Sequence, residues 1–73
     1  MIREYNGKRY DMSKAPRPWR DYTSSNPAVT NPKLGVTVWA GGSFHYQGTN
    51  YERGLELVAK GRAILKALEV SDA

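Results

Sequence analysis

Apolar residues fall into a helical rhythm near the end of the chain and into shorter alternations before it. From Tyr51 onward, setting each residue 100° from the last places Tyr51, Leu55, Leu57, Val58, Ile64, Leu65 and Leu68 on one half of a cylinder. Glu52, Glu56, Lys60, Ala63 and Lys66 fall on the other half, with Glu56 and Lys60 spaced as a favourable i,i+4 pair. This pattern predicts one long helix over about residues 50–69. Thr49-Asn50-Tyr51-Glu52 fits a capping box, in which the Thr49 hydroxyl and the Glu52 carboxylate each accept from the other residue's amide. The apolar half is too wide for a coiled-coil seam and suits packing on a sheet.

Gly54 and Gly61 stand two turns apart in the middle of that apolar half. Each costs roughly 0.8–1 kcal/mol against alanine inside a helix, so close approach of another group is expected in return. A ring from the sheet, such as Trp39, lying over the groove is the first expectation. A helix–helix contact in a homodimer through the Gly54/Gly61 face is the second, and a hinge the third.

Ahead of the helix, Val36-Thr37-Val38-Trp39-Ala40 and Ser43-Phe44-His45-Tyr46-Gln47 flank Gly41-Gly42. Two glycines suit a two-residue primed turn. In that register Trp39 opposes Phe44 and Thr37 opposes Tyr46 on an aromatic face, leaving Val36 and Val38 on a mixed one. A second hairpin is signalled by Ile2–Tyr5 and Lys8–Asp11 around Asn6-Gly7, the dipeptide that best forms a type I′ turn. Arg3, Tyr5, Lys8 and Tyr10 then share one face, and Ile2, Glu4, Arg9 and Asp11 the other. Neither is strongly apolar, so this hairpin is expected at a sheet edge or partly exposed.

Residues 13–34 show no period and carry Pro16, Pro18, Pro27 and Pro32. A structureless connection of this length is unusual in a compact domain and often functional. Within it Arg17-Pro18-Trp19-Arg20-Asp21-Tyr22 combines two aromatics with two arginines. Trp19 is expected either to plug the loop onto the core or to stand exposed as an anchor. The tail from Val70 is expected to fray.

The expected fold class is α+β: a small antiparallel sheet of two β-hairpins packed against one long C-terminal helix, its core including Leu55, Val58, Leu65 and Trp39. One domain spans residues 1–73, divided into a basic hairpin (1–12), an irregular loop (13–34) and a hairpin–helix core (35–70). With 73 residues and no cysteine, that core is marginal and unstapled, which raises the expectation of oligomerisation. No apolar run reaches membrane-spanning length and the start is unlike a signal peptide, so a cytoplasmic location is expected.

Charge sharpens the picture. Residues 1–20 hold six basic against two acidic side chains, while residues 21–73 hold five of each. A basic N-terminal section on a neutral scaffold points toward an anionic partner.

No catalytic constellation is visible. His45 is the only histidine and has no nucleophile placed to act with it, the carboxylates are scattered, and Gly41-Gly42 precedes a strand and so is no phosphate loop. No enzyme activity, metal site or cofactor is expected. The order hairpin, glycine, helix from Val36 to Leu68 resembles sheet-plus-helix DNA-binding domains of the integrase-arm type, but without their dense strand arginines, and alone it assigns no family. Two readings follow. One is a protein-binding module that inhibits or adapts a larger protein, as small phage and plasmid accessory proteins do, with Arg17, Trp19, Arg20 and Tyr22 as its contacts. The other is nucleic-acid binding through Arg3, Tyr5, Lys8, Arg9, Tyr10 and Arg17. The disposition of the cations discriminates: convergence on one face favours nucleic acid, whereas ion pairing beside an exposed apolar patch favours protein.

Overall fold

The computed structural model describes residues 1–23 and 25–70. The fold is α+β. Strands β1 (Ile2–Tyr5) and β2 (Lys8–Asp11) form a two-stranded sheet. A separate four-stranded antiparallel sheet has the order β3 (Arg20–Asp21), β4 (Ala28–Asn31), β5 (Val36–Trp39), β6 (Phe44–Tyr46). One helix, α1 (Tyr51–Ala67), packs chiefly on β5 and β4. The two hairpins therefore do not merge into one sheet. The loop expected over 13–34 contains a short 3-10 turn (Met12–Lys14 at its start), β3, and the interior strand β4.

The β1–β2 hairpin has the expected register, with Tyr5 opposite Lys8 and Arg3 opposite Tyr10. Asn6 and Gly7 both take positive φ, 51° and 81°, as a type I′ turn requires. The hairpin is tied to the end of the helix: the Asp11 amide donates to the Leu68 carbonyl (2.9 Å) and the Val70 amide to the Arg9 carbonyl (2.8 Å). Val70 is thus held, and residues 71–73 of the expected fraying tail lie outside the described residues.

The β5–β6 register differs from expectation by one residue. Val36 faces Tyr46, Thr37 faces His45 and Val38 faces Phe44. Only Gly42 has a positive φ (97°); its amide donates to the Trp39 carbonyl (3.0 Å), and the Trp39 amide donates to the Ser43 carbonyl (2.9 Å). This is a three-residue loop over Ala40-Gly41-Gly42, a turn closed by one left-handed glycine. A one-residue slip exchanges the faces of the sheet. Here it moves Phe44 and Tyr46 onto the face of Val38 and Val36, which line the core with Val29 of β4; Trp39 points to the opposite face, half-buried, edge-to-face on Tyr22 at 5.5 Å.

The helix begins one residue later than the capping-box reading. Asn50 is the N-cap, its side chain accepting from the Arg53 amide at 3.1 Å. The core joins Leu57, Val58, Leu65 and Leu68 to Val29, Val36, Val38, Tyr10, Met12 and Trp19. Leu55, expected inside, is exposed, as is Tyr51; both border a groove beside β6, whereas α1 packs chiefly on β5 and β4.

Both helix glycines face the chain's own sheet. A Cβ on Gly54 would lie 2.6 Å from the Tyr46 ring, and one on Gly61 would lie 2.6 Å from Val38 Cγ2 and 3.2 Å from Trp19 Cζ3. The expectation of close approach holds, with Tyr46, Val38 and Trp19 in place of Trp39. Both glycines are buried against the chain's own residues, so the close approach they allow is intramolecular.

Candidate functional site

The segment after the 3-10 turn runs along the β3 edge of the large sheet. Trp19 is anchored there, 3% exposed, its ring against Gly61. It is the plug of the two expected roles, so it cannot be an exposed partner contact. Arg17 and Arg20 flank it in sequence and remain exposed. The β4–β5 turn brings a third cation beside them. Asn31, itself buried, shapes this turn: its carbonyl accepts from the Leu34 and Gly35 amides at 3.2 and 2.9 Å, and its side-chain oxygen accepts from Leu34 at 3.2 Å. Gly35 closes it at φ 68°, and Lys33 is carried on its outside.

Arg17, Arg20 and Lys33 thereby rim an open cleft of about 740 Å³, with Met12, Ala15, Pro18, Trp19 and Pro32 supplying apolar lining. The Arg17–Pro18 peptide on this rim is cis. None of the three cations makes an ion pair within the described residues. Asp21 also lines the cleft, and its carboxylate lies 4.0 Å from Arg3 Nη1. Tyr22 is not part of this cleft. It borders a neighbouring hollow with Arg20, Thr30 and Pro32, and packs on Trp39.

The basic hairpin does not present one cationic face. Arg3 is drawn to Asp21, Lys8 lies 3.5 Å from Glu69, and Lys14 lies 3.9 Å from Asp11. Arg9 projects from the opposite side of the hairpin to Lys8. Tyr10 is buried in the core and its phenol is pushed up, first by burial and then by the nearby Glu69 carboxylate. Tyr5 is half-buried against the Gly41 turn. Of the residues proposed for nucleic acid, only Arg17 keeps an exposed, unpaired position in a concave site.

Two features escaped the sequence. Lys33 sits in a turn whose partners are sixteen and thirteen residues away along the chain, and only the pairing of β3 with β4 unites them. The other is an apolar patch along β6 and the first turns of α1, where Phe44, Tyr51 and Leu55 are 47%, 75% and 44% exposed. With Tyr46 they line a shallow groove of about 240 Å³. The helical period placed Tyr51 and Leu55 in the core, which hid the patch. No helix among the described residues is long and apolar enough to cross a membrane. The chain matches no protein-family model, no curated protein and no solved structure.

Proposed function

We propose that this chain is a non-enzymatic protein-binding module, an adaptor or inhibitor that holds an acidic segment of a larger protein in the Arg17–Arg20–Lys33 cleft. The observation that carries the reading is the cleft's mixed character: three unpaired cations around a concave, partly apolar floor. Carboxylates gain charge-assisted, bidentate hydrogen bonds from the two guanidinium groups. Apolar side chains of the same segment meet Ala15, Pro18 and Pro32. The distribution of the other cations argues in the same direction, since three of them are engaged by Asp21, Glu69 and Asp11.

A second reading, nucleic acid, is favoured by a different feature. Arg20, Thr30, Thr37 and His45 lie side by side across the sheet face away from the helix, with Trp39 and Tyr22 in the next row. Aromatic and basic side chains on such a face suit stacking of unpaired bases.

Fluorescence anisotropy with a labelled glutamate-rich peptide and a labelled single-stranded oligonucleotide separates the two. The protein-binding reading expects peptide binding that Arg17→Ala or Arg20→Ala each weakens by more than about 1 kcal/mol. Oligonucleotide binding that is tighter than peptide binding, falls steeply with salt as counterion release requires, and is lost in Trp39→Ala would replace it.

A further inference from the structure

From the geometry of β6 we infer that two copies of the chain join edge to edge through this strand, a contact independent of the basic cleft at the other edge of the sheet. Among the described residues, the sheet order leaves β6 with one unpaired side. The phase of its ladder fixes which groups face outward. Trp39 donates to Ser43 and Gln47 donates to Gly35, so the hydrogen-bonded positions toward β5 are 43, 45 and 47. The amides and carbonyls of Phe44 and Tyr46 therefore point away from β5, toward solvent.

A twofold axis through His45 satisfies all of them. Phe44 of one copy then pairs with Tyr46 of the other in a hydrogen-bonded pair, twice, and the two His45 residues meet as a non-hydrogen-bonded pair. Phe44 and Tyr46 lie on the helix side of the sheet, as Val38 and Val36 do. The cross-strand pairs are therefore aromatic on that side, and the exposed Tyr51 and Leu55 flank them. The patch that a monomer leaves open is thus covered by its own symmetry mate.

Charge selects this edge over the other. Arg17, Arg20 and Lys33 crowd the β3 edge, where a second copy of a chain of net charge +4 would be repelled. Near β6 the helix carries both signs, Glu52, Arg53 and Glu56. Taking the exposed fractions against the 150–250 Å² of an aromatic side chain, the patch covers on the order of 700 Å² over both copies. That lies below the ~1,200 Å² of a stable complex, so the dimer is reversible and concentration-dependent.

The chain has no cysteine, so a single His45→Cys substitution reports the axis directly. A non-hydrogen-bonded antiparallel pair brings the Cα atoms to about 4.5 Å, within disulfide reach. Under oxidised glutathione, His45→Cys is expected to form a covalent dimer much faster than Ser43→Cys or Lys60→Cys, which the axis does not bring face to face with themselves. Sedimentation of the wild type is expected to show dimer at about 100 µM and monomer at about 1 µM. Phe44→Glu, at an exposed position, is expected to weaken that dimer about tenfold or more while keeping its circular dichroism. A wild type that stays monomeric at the higher concentration overturns the inference. So does crosslinking of His45→Cys no faster than the controls, dimerisation of Phe44→Glu at wild-type strength, or a monomer whose β6 edge takes up a strand of another protein.

Discussion

Gly61 shows how one hydrogen atom in place of a methyl group sets the distance between helix and sheet. Its missing Cβ leaves room for Val38 Cγ2 and the edge of Trp19, both in the densely packed core. Alanine is the better helix former by about 0.8–1 kcal/mol, yet its methyl would sit 2.6 Å from a buried valine. Overpacking typically costs about 1–3 kcal/mol. Gly61→Ala is therefore expected to be net destabilising and Gly61→Leu more so, read as a fall in Tm. A rise in Tm for Gly61→Ala would show that the core yields there without cost. At the end of β2, Asp11 accepts from the Ser13 hydroxyl at 2.6 Å and from its amide at 3.2 Å, and lies 3.7 Å from the N-terminal amine. The Ser13 hydrogen bond is the main reason the Asp11 carboxyl titrates below its ordinary value. A depressed carboxyl stabilises the fold above its unfolded pKa, and that contribution is lost as pH falls through the folded one. Ser13→Ala is expected to move the Asp11 midpoint up toward the ordinary value, followed by NMR of the side-chain carboxyl carbon.

At the scale of elements, what was legible in sequence depended on whether local chemistry allowed one answer or two. The helix was legible because its period runs through more than four turns, and the Asn6-Gly7 hairpin because that dipeptide supplies both positive φ values. Gly41-Gly42 was ambiguous. Two glycines suit a two-residue primed turn equally with a three-residue loop that needs only one. Packing on the helix side goes with the one-residue shift, which places Phe44 and Tyr46 on the face of Val38 and Val36, where Tyr46 lies against Gly54. The β4 strand was hidden by brevity: Ala28–Asn31 is four residues between Pro27 and Pro32, which read as loop punctuation but in fact mark its two ends. The cleft was half legible, with Arg17 and Arg20 evident from sequence and Lys33 delivered by a tertiary pairing. The loop assignment predicts which residue types position 42 tolerates. Gly42→Val places a β-branched residue at φ 97° and is expected to cost more than Gly42→Asn, because Asn tolerates the left-handed region. Equal denaturation midpoints for the two variants would contradict the loop geometry.

Across the whole molecule, stability and binding are carried by residues that adjoin one another in sequence. Trp19 is buried in the core against the helix, whereas Arg17 and Arg20 on either side of it are exposed and line the cleft. Truncating a buried aromatic costs about 3–5 kcal/mol. A chain of 73 residues has roughly 4–11 kcal/mol of total stability at ordinary per-residue values. Trp19→Ala is therefore expected to remove a large share of the fold's stability, so that any loss of binding follows the unfolded fraction and is partly restored by cooling or by a stabilising cosolvent. Arg17→Ala and Arg20→Ala, as exposed substitutions, are expected to stay within about 0.5 kcal/mol of the parent in chemical denaturation, with binding lost at every temperature. Because Arg17, Arg20 and Lys33 face one concave space, their effects on an acidic ligand should also be non-additive, as for charges sharing a partner. A double-mutant cycle at Arg17 and Arg20 measures this. Strict additivity in the cycle, or a large stability loss from Arg20→Ala, would mean that the cations act separately or hold the fold, and the cleft would cease to be the seat of binding.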